Sequence, residues 1–227
     1  SPCIRYFHKS IQVLSMICGV DEAGKGSVLG PMVVAAVGCM DMDDLIALGV
    51  ADSKKMSSKH REMISIEIKA KFPFSIVILE ADEIDDLRRS MTMNEIVARS
   101  HAEALSSLNC KCAYVDACDV NEKRYGETVS SFSPSGCTII SRHKADSLFP
   151  PVSAASIIAK VERDRIIEEL SQEYGDIGSG YPSDPITVAY LTKFIRHHGH
   201  SPGIARSGWE TVKNLLHQKN QSSLLDF

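Results

Sequence analysis

The stretch ICGVDEAGKGSVLGPMVVAAVGC, residues 17–39, contains two apolar runs that are separated by a short glycine-rich segment. Both runs, ICGV and MVVAAVGC, are typical of β-strands. A connection this short favours antiparallel pairing of the two strands over a helical crossover. We therefore predict that the fold begins with an antiparallel pair of strands.

Three more strand-like runs follow, and helical patterns separate the later ones. The runs are FSIVILEA (74–81), CAYVDAC (112–118) and CTIIS (137–141). The predicted helices span about 57–72, 92–108, 152–174, 185–198 and 207–216, and several begin with capping signals such as Thr92-x-x-Glu95. This order predicts an α/β fold, in which a mixed sheet is flanked by helices and the last helices form a C-terminal region.

The composition is that of an ordinary globular protein. Of the 227 residues, 44% are hydrophobic and 24% are charged, which suits one generous domain. No apolar run approaches the ~20 residues that span a bilayer, and the N-terminal segment lacks the features of a secretory signal. The seven cysteines are odd in number and contain no paired C-x-x-C, which favours structural thiols over a metal site. We expect a cytoplasmic protein that does not bind a membrane.

Charge is unevenly distributed along the chain. The net charge of −4 argues by itself against a nucleic-acid binder, yet residues 187–227 carry five Lys or Arg against two acids. A locally basic end on an acidic body is compatible with a surface that follows a phosphate backbone. A solvated basic face is the alternative, and charge alone favours it.

The segment GVDEAGKGS, residues 19–27, nearly matches the phosphate-binding loop G-x-x-x-x-G-K-[ST]. Gly26 stands where a Ser or Thr would hold magnesium, and Asp21 and Glu22 would repel a nucleotide. If these acids hold metal instead, the glycines let the backbone approach a sugar-phosphate closely, and Lys25 supplies positive charge. We therefore favour a loop that meets the phosphate of a polymer held by metals.

Three aspartates occupy comparable positions near the ends of predicted strands. Asp21 ends the run ICGV, Asp116 follows AYV, and Asp146 lies between the last strand and a long helix. An ionised carboxylate on an apolar strand must be paired or bound to a metal, and such oxygen ligands select Mg²⁺ or Mn²⁺ over zinc. The alternatives are that Asp146 caps the following helix and that Asp116 pairs with Arg or Lys. Glu22 joins this site only if the strand twists or ends there, because adjacent strand residues face opposite ways.

The segment GVDEAGKGSVLGP (19–31) resembles the signature of type 2 ribonuclease H (ribonuclease HII), especially its archaeal branch. The resemblance continues, in order and approximate spacing, over nearly the whole chain. The matching motifs are DSKKMS (52–57), MNEIVA (93–98), YVDAC (114–118), HKADSLFPPVSAASIIAKVERD (143–164), GSGYPSDP (178–185) and PGIARSGWETV (202–212).

The resemblance implies a fold, a domain division and a set of site residues. It implies a ribonuclease H-like fold with a mixed five-stranded sheet. It also implies that the chain has three parts: an N-terminal extension (1–15), a catalytic domain (16–175) and a helical substrate-binding region (176–227). The implied catalytic and metal-binding residues are Asp21, Glu22, Asp116 and Asp146. The implied substrate-binding residues are Gly24, Lys25, Gly26, Lys54, Arg142, Lys144, Ser153 and Tyr181.

Two of these features carry specific roles in the family that the chain resembles. The loop Gly24-Lys25-Gly26 corresponds to one that senses the 2′-hydroxyl of a ribonucleotide through its backbone. Tyr181 corresponds to a tyrosine that packs on the neighbouring sugar at an RNA–DNA junction. Lys25 stands where Arg is common, and Ser27 replaces a frequent proline, so the substrate affinity of this chain is expected to differ.

The implied activity is that of an endonuclease that uses two Mg²⁺ or Mn²⁺ ions. It hydrolyses the phosphodiester 5′ to a ribonucleotide, in RNA/DNA hybrids or in duplex DNA with embedded ribonucleotides, and leaves 3′-hydroxyl and 5′-phosphate ends. We expect a monomer. The C-terminal QSSLLDF (221–227) suggests a sliding-clamp motif, with a frayed terminus as the alternative.

Two other functions are compatible with parts of the sequence. A nucleotide-hydrolysing enzyme would use the 19–27 loop and would not need Asp116. A non-catalytic RNA–DNA hybrid binder would keep the fold but cleave nothing in Mg²⁺ or Mn²⁺.

Overall fold

The computed structural model describes the backbone of residues 16–51, 56–133 and 136–225, and the side chains in these ranges except those of residues 220 and 222–225. The predicted extension (1–15), Lys54 and most of the suggested clamp motif therefore lie outside what is described. Within the described ranges, no helix is long and apolar enough to cross a membrane.

The strands form one five-stranded sheet. They are β1 (Ile17–Ala23), β2 (Met32–Cys39), β3 (Phe74–Leu79), β4 (Cys112–Asp116) and β5 (Thr138–Arg142). Their order across the sheet is β3-β2-β1-β4-β5. β1 is antiparallel to β2 and parallel to β4, and β4 is parallel to β5. The predicted antiparallel start and mixed five-stranded sheet are confirmed.

Helices surround these strands in the chain order. They are α1 (Met42–Ala47), α2 (Ser58–Lys71), α3 (Ala81–Leu87), α4 (Met93–Ser106), α5 (Glu122–Phe132), α6 (Ala145–Leu148), α7 (Pro150–Tyr174), α8 (Pro185–His198) and α9 (Glu210–Leu225). The predicted capping box of α4 forms: Thr92 Oγ1 accepts from the Glu95 backbone N–H, and the Glu95 carboxylate accepts from the Thr92 backbone N–H. The α8 signals also hold, because Asp184 caps its start and Gly199, at φ 81°, ends it.

The sequence missed four short helices and misplaced one helix start. α1, α3, α5 and α6 were not predicted. α1, α3 and α6 have at most seven residues, too few for a clear apolar period, and the 11-residue α5 contains Gly126 among mostly polar residues. The last helix begins at Glu210 rather than directly after Ser207. The backbone N–H groups of Ser207 and Gly208 donate instead to the Asp85 carboxylate, at 2.6 and 3.1 Å.

The chain divides into two compact units. The first unit comprises the residues up to Ala23, Val33–Ile78 and Thr92–Glu162, and the second comprises Gly24–Met32, Leu79–Met91 and Arg163–Phe227. The first unit contains nearly all of the sheet, and β2 is buried along its whole length. The core of the second unit is built on Val28, Leu29, Ile177, Leu191, Ile195 and Val212. The sequence-based division at residue 175 differs from these units and stays a prediction.

Two of the cysteines are joined, contrary to the expectation of thiols throughout. Cys18 in β1 and Cys110, just before β4, form a disulfide with a Cα–Cα distance of 6.0 Å. Within the described residues, four further cysteines are not in disulfides: Cys39, Cys112, Cys118 and Cys137. The pairing was invisible in the sequence because the partners are 92 residues apart and meet only through the β1–β4 pairing.

Candidate active site

Asp21 and Asp116 stand side by side on the first unit's sheet. β1 and β4 run parallel, with Val20 opposite Val115. The next residues along the two strands are Asp21 and Asp116, and neighbours in a parallel register share one face of a sheet. Asp21 is buried, at 8% exposure, and Asp116 is half-buried.

Asp146 reaches the same face through a direct bond between α6 and β4. The backbone N–H of Ala145 donates to Asp116 Oδ1 at 2.6 Å, and this bond places the next residue, Asp146, near Asp116. On the same face, the rings of Tyr114 and Phe149 stack with centroids 4.0 Å apart. Asp146 is buried and lies in the first turn of α6, whose N-cap position is held by Lys144.

Glu22, the next residue along β1, pairs with a buried histidine. β1 continues to Ala23 rather than ending at Asp21, yet the charge of Glu22 raises the pKa of both Asp21 and Asp116, so its carboxylate lies close to theirs. Its Oε2 lies 2.9 Å from Nε2 of His101 in α4, and Nδ1 of that ring lies 3.1 Å from the hydroxyl of Tyr125 in α5. His101 and Tyr125 are both buried. The two ring contacts are satisfied together when His101 carries its proton on Nε2, donates it to Glu22 and accepts from Tyr125.

The electrostatics of the aspartates reflect crowded negative charge. Burial raises the pKa of Asp21 well above its ordinary value of 3.8, and the charges of Glu22, Asp116 and Asp146 raise it further. Burial is also the main cause of the raised pKa of Asp116, opposed by the hydrogen bond from Ala145 and increased by Glu22 and Asp146. Such a cluster is unfavourable without a cation and is therefore typical of a functional site.

The donor chemistry of this cluster suits a divalent metal. Carboxylate oxygens are the ligands that Mg²⁺ and Mn²⁺ prefer, and the raised pKa values of Asp21 and Asp116 mark negative charge that a cation would stabilise. Across the described residues, no group of three or more His, Cys, Asp or Glu is already arranged around a common ion position. One oxygen of each of two aspartates accepts a main-chain hydrogen bond: Asp116 Oδ1 from Ala145 at 2.6 Å, and Asp21 Oδ1 from Glu22 at 2.8 Å.

The glycine-rich loop lies in the second unit, together with Tyr181. Gly24 has φ 85°, and its carbonyl accepts from the backbone N–H and the hydroxyl of Ser27 at 3.3 and 2.9 Å, which makes a tight turn. The Tyr181 hydroxyl accepts from the Gly24 N–H at 3.1 Å. Gly26 is exposed, and an added Cβ there would have no heavy atom within 4 Å. The structure thus brings the predicted loop and the predicted tyrosine together.

The chain that follows this loop disfavours the nucleotide-binding alternative. A phosphate loop of that kind opens a helix, whose N-terminus receives the phosphates. Here the loop is followed by the bridge between Leu29 and Ala205 and then by β2. The helix N-terminus that an ATP cradle requires does not follow this loop.

Two buried arginines beneath the loop were missed by the sequence analysis. Arg206 and Arg163 are 0% and 1% exposed and bind backbone carbonyls of residues 24–31. The guanidinium of Arg163 also lies 4.6 Å from the centroid of the Tyr181 ring. Both arginines occur in matching motifs, but a sequence gives no sign that an arginine will be buried against main-chain oxygens.

The remaining predicted substrate contacts lie in different environments. Lys54 is outside the described residues. Arg142 and Lys144 are exposed; Arg142 donates to the Ser141 carbonyl at 2.9 Å, and its Nη1 lies 3.8 Å from the Glu122 carboxylate. Ser153 is 1% exposed and donates to the Val50 carbonyl at 2.5 Å, so its hydroxyl serves the interior of the first unit rather than a phosphate.

Comparison with known proteins points to one family. A family model described as Ribonuclease HII matches residues 18–212. A curated Ribonuclease HII from Methanospirillum hungatei JF-1 is 84% identical over 212 residues, which cover 93% of this chain and 100% of that protein.

Solved structures agree with the sequence comparison. The ribonuclease H2 from Pyrococcus horikoshii OT3 has a TM-score of 0.85 and 38% identity, covering 91% of this chain and 99% of that one. The Archaeoglobus fulgidus chain in a PCNA:RNase HII complex has a TM-score of 0.82 and 43% identity, covering 88% and 96%. The ribonuclease H-like fold predicted from the sequence is confirmed by this likeness.

Proposed function

The chain belongs to the ribonuclease HII family and is a metal-dependent endonuclease of the ribonuclease H class, and from that premise we propose its specific reaction. It hydrolyses the phosphodiester bond 5′ to a ribonucleotide, in RNA/DNA hybrids or in duplex DNA with embedded ribonucleotides. The products carry 3′-hydroxyl and 5′-phosphate ends.

One observation carries this proposal. Asp21, Asp116 and Asp146 converge on one face of the sheet, and their charges raise the pKa of the buried Asp21. Burying several carboxylates together is costly unless a cation compensates them. A site of this kind suits the transfer of a phosphoryl group, in which negative charge accumulates on oxygen atoms.

Asp21, Asp116 and Asp146 would hold Mg²⁺ or Mn²⁺, with Glu22 contributing from the adjacent position on β1. When bound, two such ions supply positive charge for the attacking water and for the leaving oxygen. The protein keeps the carboxylates in place: Ala145 anchors Asp116, and His101 holds the Glu22 carboxylate at 2.9 Å. No nucleophilic side chain is required, so water is the attacking group.

The second unit supplies the residues for substrate selection. Gly26 presents open backbone, since nothing lies within 4 Å of its Cβ position, and a sugar can therefore approach its N–H closely. Tyr181 offers a half-buried ring for packing on the next sugar. In the first unit, exposed Arg142 and Lys144 are suited to phosphate contacts by their charge.

The deciding experiment is cleavage of a DNA duplex that carries a single ribonucleotide. We expect one cut, 5′ to the ribonucleotide, in Mg²⁺ or Mn²⁺ and none in EDTA, with ends identified by phosphatase and ligase sensitivity. An all-DNA duplex of the same sequence is the matched control. Cleavage that persists in EDTA, or equal cleavage of the all-DNA duplex, would contradict the proposal. Binding without any cleavage would leave only the non-catalytic hybrid binder.

We also propose that the C-terminal residues 221–227 dock on a sliding clamp and that the protein is otherwise a monomer. The structure of the Archaeoglobus fulgidus relative in complex with PCNA supports the first part. The binding of an archaeal clamp should be lost when residues 221–227 are deleted, while cleavage of a short duplex is unchanged. Equal clamp affinity with and without these residues would refute the docking segment.

A further inference from the structure

Arg206 is unusual in the second unit because its buried guanidinium donates hydrogen bonds to main-chain oxygens. Its side chain is 0% exposed. Nη2 donates to the carbonyls of Gly24 and Gly30 at 2.7 and 3.1 Å, Nη1 donates to Lys25 at 2.9 Å, and Nε donates to Gly30 at 3.3 Å. All four bonds therefore end on the loop that contains the predicted sugar-sensing residues.

These bonds fix the direction of the loop's N–H groups. In a trans peptide, the C=O of one residue and the N–H of the next point to opposite sides of the chain. The peptide bonds of the described loop are trans. Since the Lys25 carbonyl points at Arg206, the N–H of Gly26 points away from that guanidinium, on the exposed side of the loop.

Tyr181 and Arg163 hold the loop from other directions. The Tyr181 hydroxyl accepts from the Gly24 N–H at 3.1 Å. Arg163 donates to the carbonyls of Pro31, Leu29 and Ser179 at 3.3, 3.4 and 3.2 Å, and its Nε occupies the space of a Gly24 Cβ, 2.3 Å from that position. The turn at residues 24–27 is therefore bound on both its N–H and its carbonyl sides.

The number and geometry of the bonds explain why this position needs an arginine. A guanidinium is a planar fork with five donors, whereas a lysine ammonium is a compact point charge on a flexible stem. Arg206 uses three nitrogens to reach the carbonyls of three residues at once. A lysine, with three donors on a single nitrogen, can make at most three of these four bonds.

We propose that Arg206 is a positioning residue that sets the ribose selectivity of the enzyme, by aiming the Gly26 N–H at the 2′-hydroxyl of the substrate. This inference rests on the proposed function, because it requires that the loop senses the sugar. Arg206 itself touches no substrate and acts only through the loop carbonyls.

The test measures binding rather than turnover, so that the affinity for the all-DNA duplex can be determined even when that duplex is not cleaved. In the Asp116→Asn background with Mg²⁺, Kd is determined for a duplex with one ribonucleotide and for the same duplex in all-DNA form. The ratio of the two Kd values is the ribose selectivity. Arg206→Lys is expected to reduce this ratio by about fivefold or more, the equivalent of one hydrogen bond, mainly by weakening the ribonucleotide duplex.

Leu191→Ala provides the matched control, because Leu191 is fully buried in the core of the same unit and is remote from the loop in the chain. It destabilises the unit without removing any hydrogen bond between Arg206 and the loop, so both Kd values should keep their ratio. If Arg206→Lys also keeps the ratio while the parent shows ribose selectivity, the positioning role is wrong and the proposed function stands. If the parent shows no ribose selectivity, the sugar-sensing part of the proposed function fails first.

Tyr181→Phe keeps the test decisive if Arg206→Lys does not fold. This change removes only the hydroxyl that accepts from the Gly24 N–H and leaves the ring in place. A lower selectivity ratio would support control of selectivity by loop orientation. An unchanged ratio would overturn it.

Discussion

Gly26→Ala tests whether a glycine at this position is needed for binding the substrate rather than for folding the protein. Gly26 is exposed, is absent from the glycines with positive φ, and has no heavy atom within 4 Å of an added Cβ. The folded protein therefore accepts alanine without strain, and the loss of chain entropy in the unfolded state should stabilise it by roughly 0.4–1 kcal/mol. For a chain of this length, that corresponds to a rise in Tm of about 1–4 °C.

Activity should change in the opposite direction. If the sugar approaches Gly26 closely, a methyl group at this position costs roughly 1–3 kcal/mol of overpacking, which is about 5- to 150-fold in kcat/KM. The assay is cleavage of the one-ribonucleotide duplex, with melting temperature measured on the same preparations. A variant that is as stable as the wild type and within twofold of its kcat/KM would refute the close approach of a sugar to this loop.

Gly24→Ala is the matched contrast, because here the protein itself forbids the side chain. Gly24 has φ 85°, and its Cβ would lie 2.3 Å from Arg163 Nε and 2.7 Å from the Pro31 carbonyl. The left-handed conformation and the clash together should cost about 2–5 kcal/mol of folding stability. A large loss of Tm is expected for Gly24→Ala and none for Gly26→Ala, so equal melting temperatures would contradict the loop geometry.

Three further changes test the carboxylate site. Asp116→Asn should keep duplex affinity within a few fold but lose roughly 10²–10³ in single-turnover rate, since the lost charge stabilises the transition state; a wild-type rate would refute the role. In EDTA, Asp21→Asn should raise Tm near neutral pH but not near pH 4. Because its pKa is raised, folded Asp21 keeps its proton above about pH 3.8, where the unfolded chain loses it. Asp21 therefore contributes less to stability as the pH rises towards the folded pKa. A change in Tm that does not depend on pH would contradict this. Tyr125→Phe removes the partner of His101 and should raise the Mn²⁺ concentration for half-maximal activity by about tenfold; an unchanged metal titration would show that the buried chain does not support Glu22.

The sequence was sufficient for the strands and for singling out the aspartates that the structure brings together. Apolar runs of β-branched residues mark β1, β2 and β4 clearly, and an aspartate at the end of such a run is costly enough to stand out. The alternation of strand residues raised a difficulty about Glu22, whose carboxylate the structure pairs with His101 while its charge still acts on Asp21 and Asp116.

What the sequence could not give depends on contacts between distant residues. His101 lies within an ordinary apolar pattern in α4, and only tertiary packing brings it to Glu22 and to Tyr125. Ser153 belongs to a matching motif, but motif membership does not distinguish a hydroxyl that faces substrate from one bound to Val50. Arg206 meets the loop across more than 170 positions of the chain, which no local pattern reports.

Asp21, Asp116 and Asp146 lie far apart along the chain, so the ribosome makes them at different times. Chains emerge N-terminus first, so the earliest aspartate leaves the ribosome long before α6 exists, and closing so long a loop is entropically costly until β4 has formed beside β1. A nascent or truncated chain that ends before residue 146 holds only part of the ligand set. Such a chain already carries the loop at residues 24–26 but lacks the third aspartate, so it cannot assemble the carboxylate site.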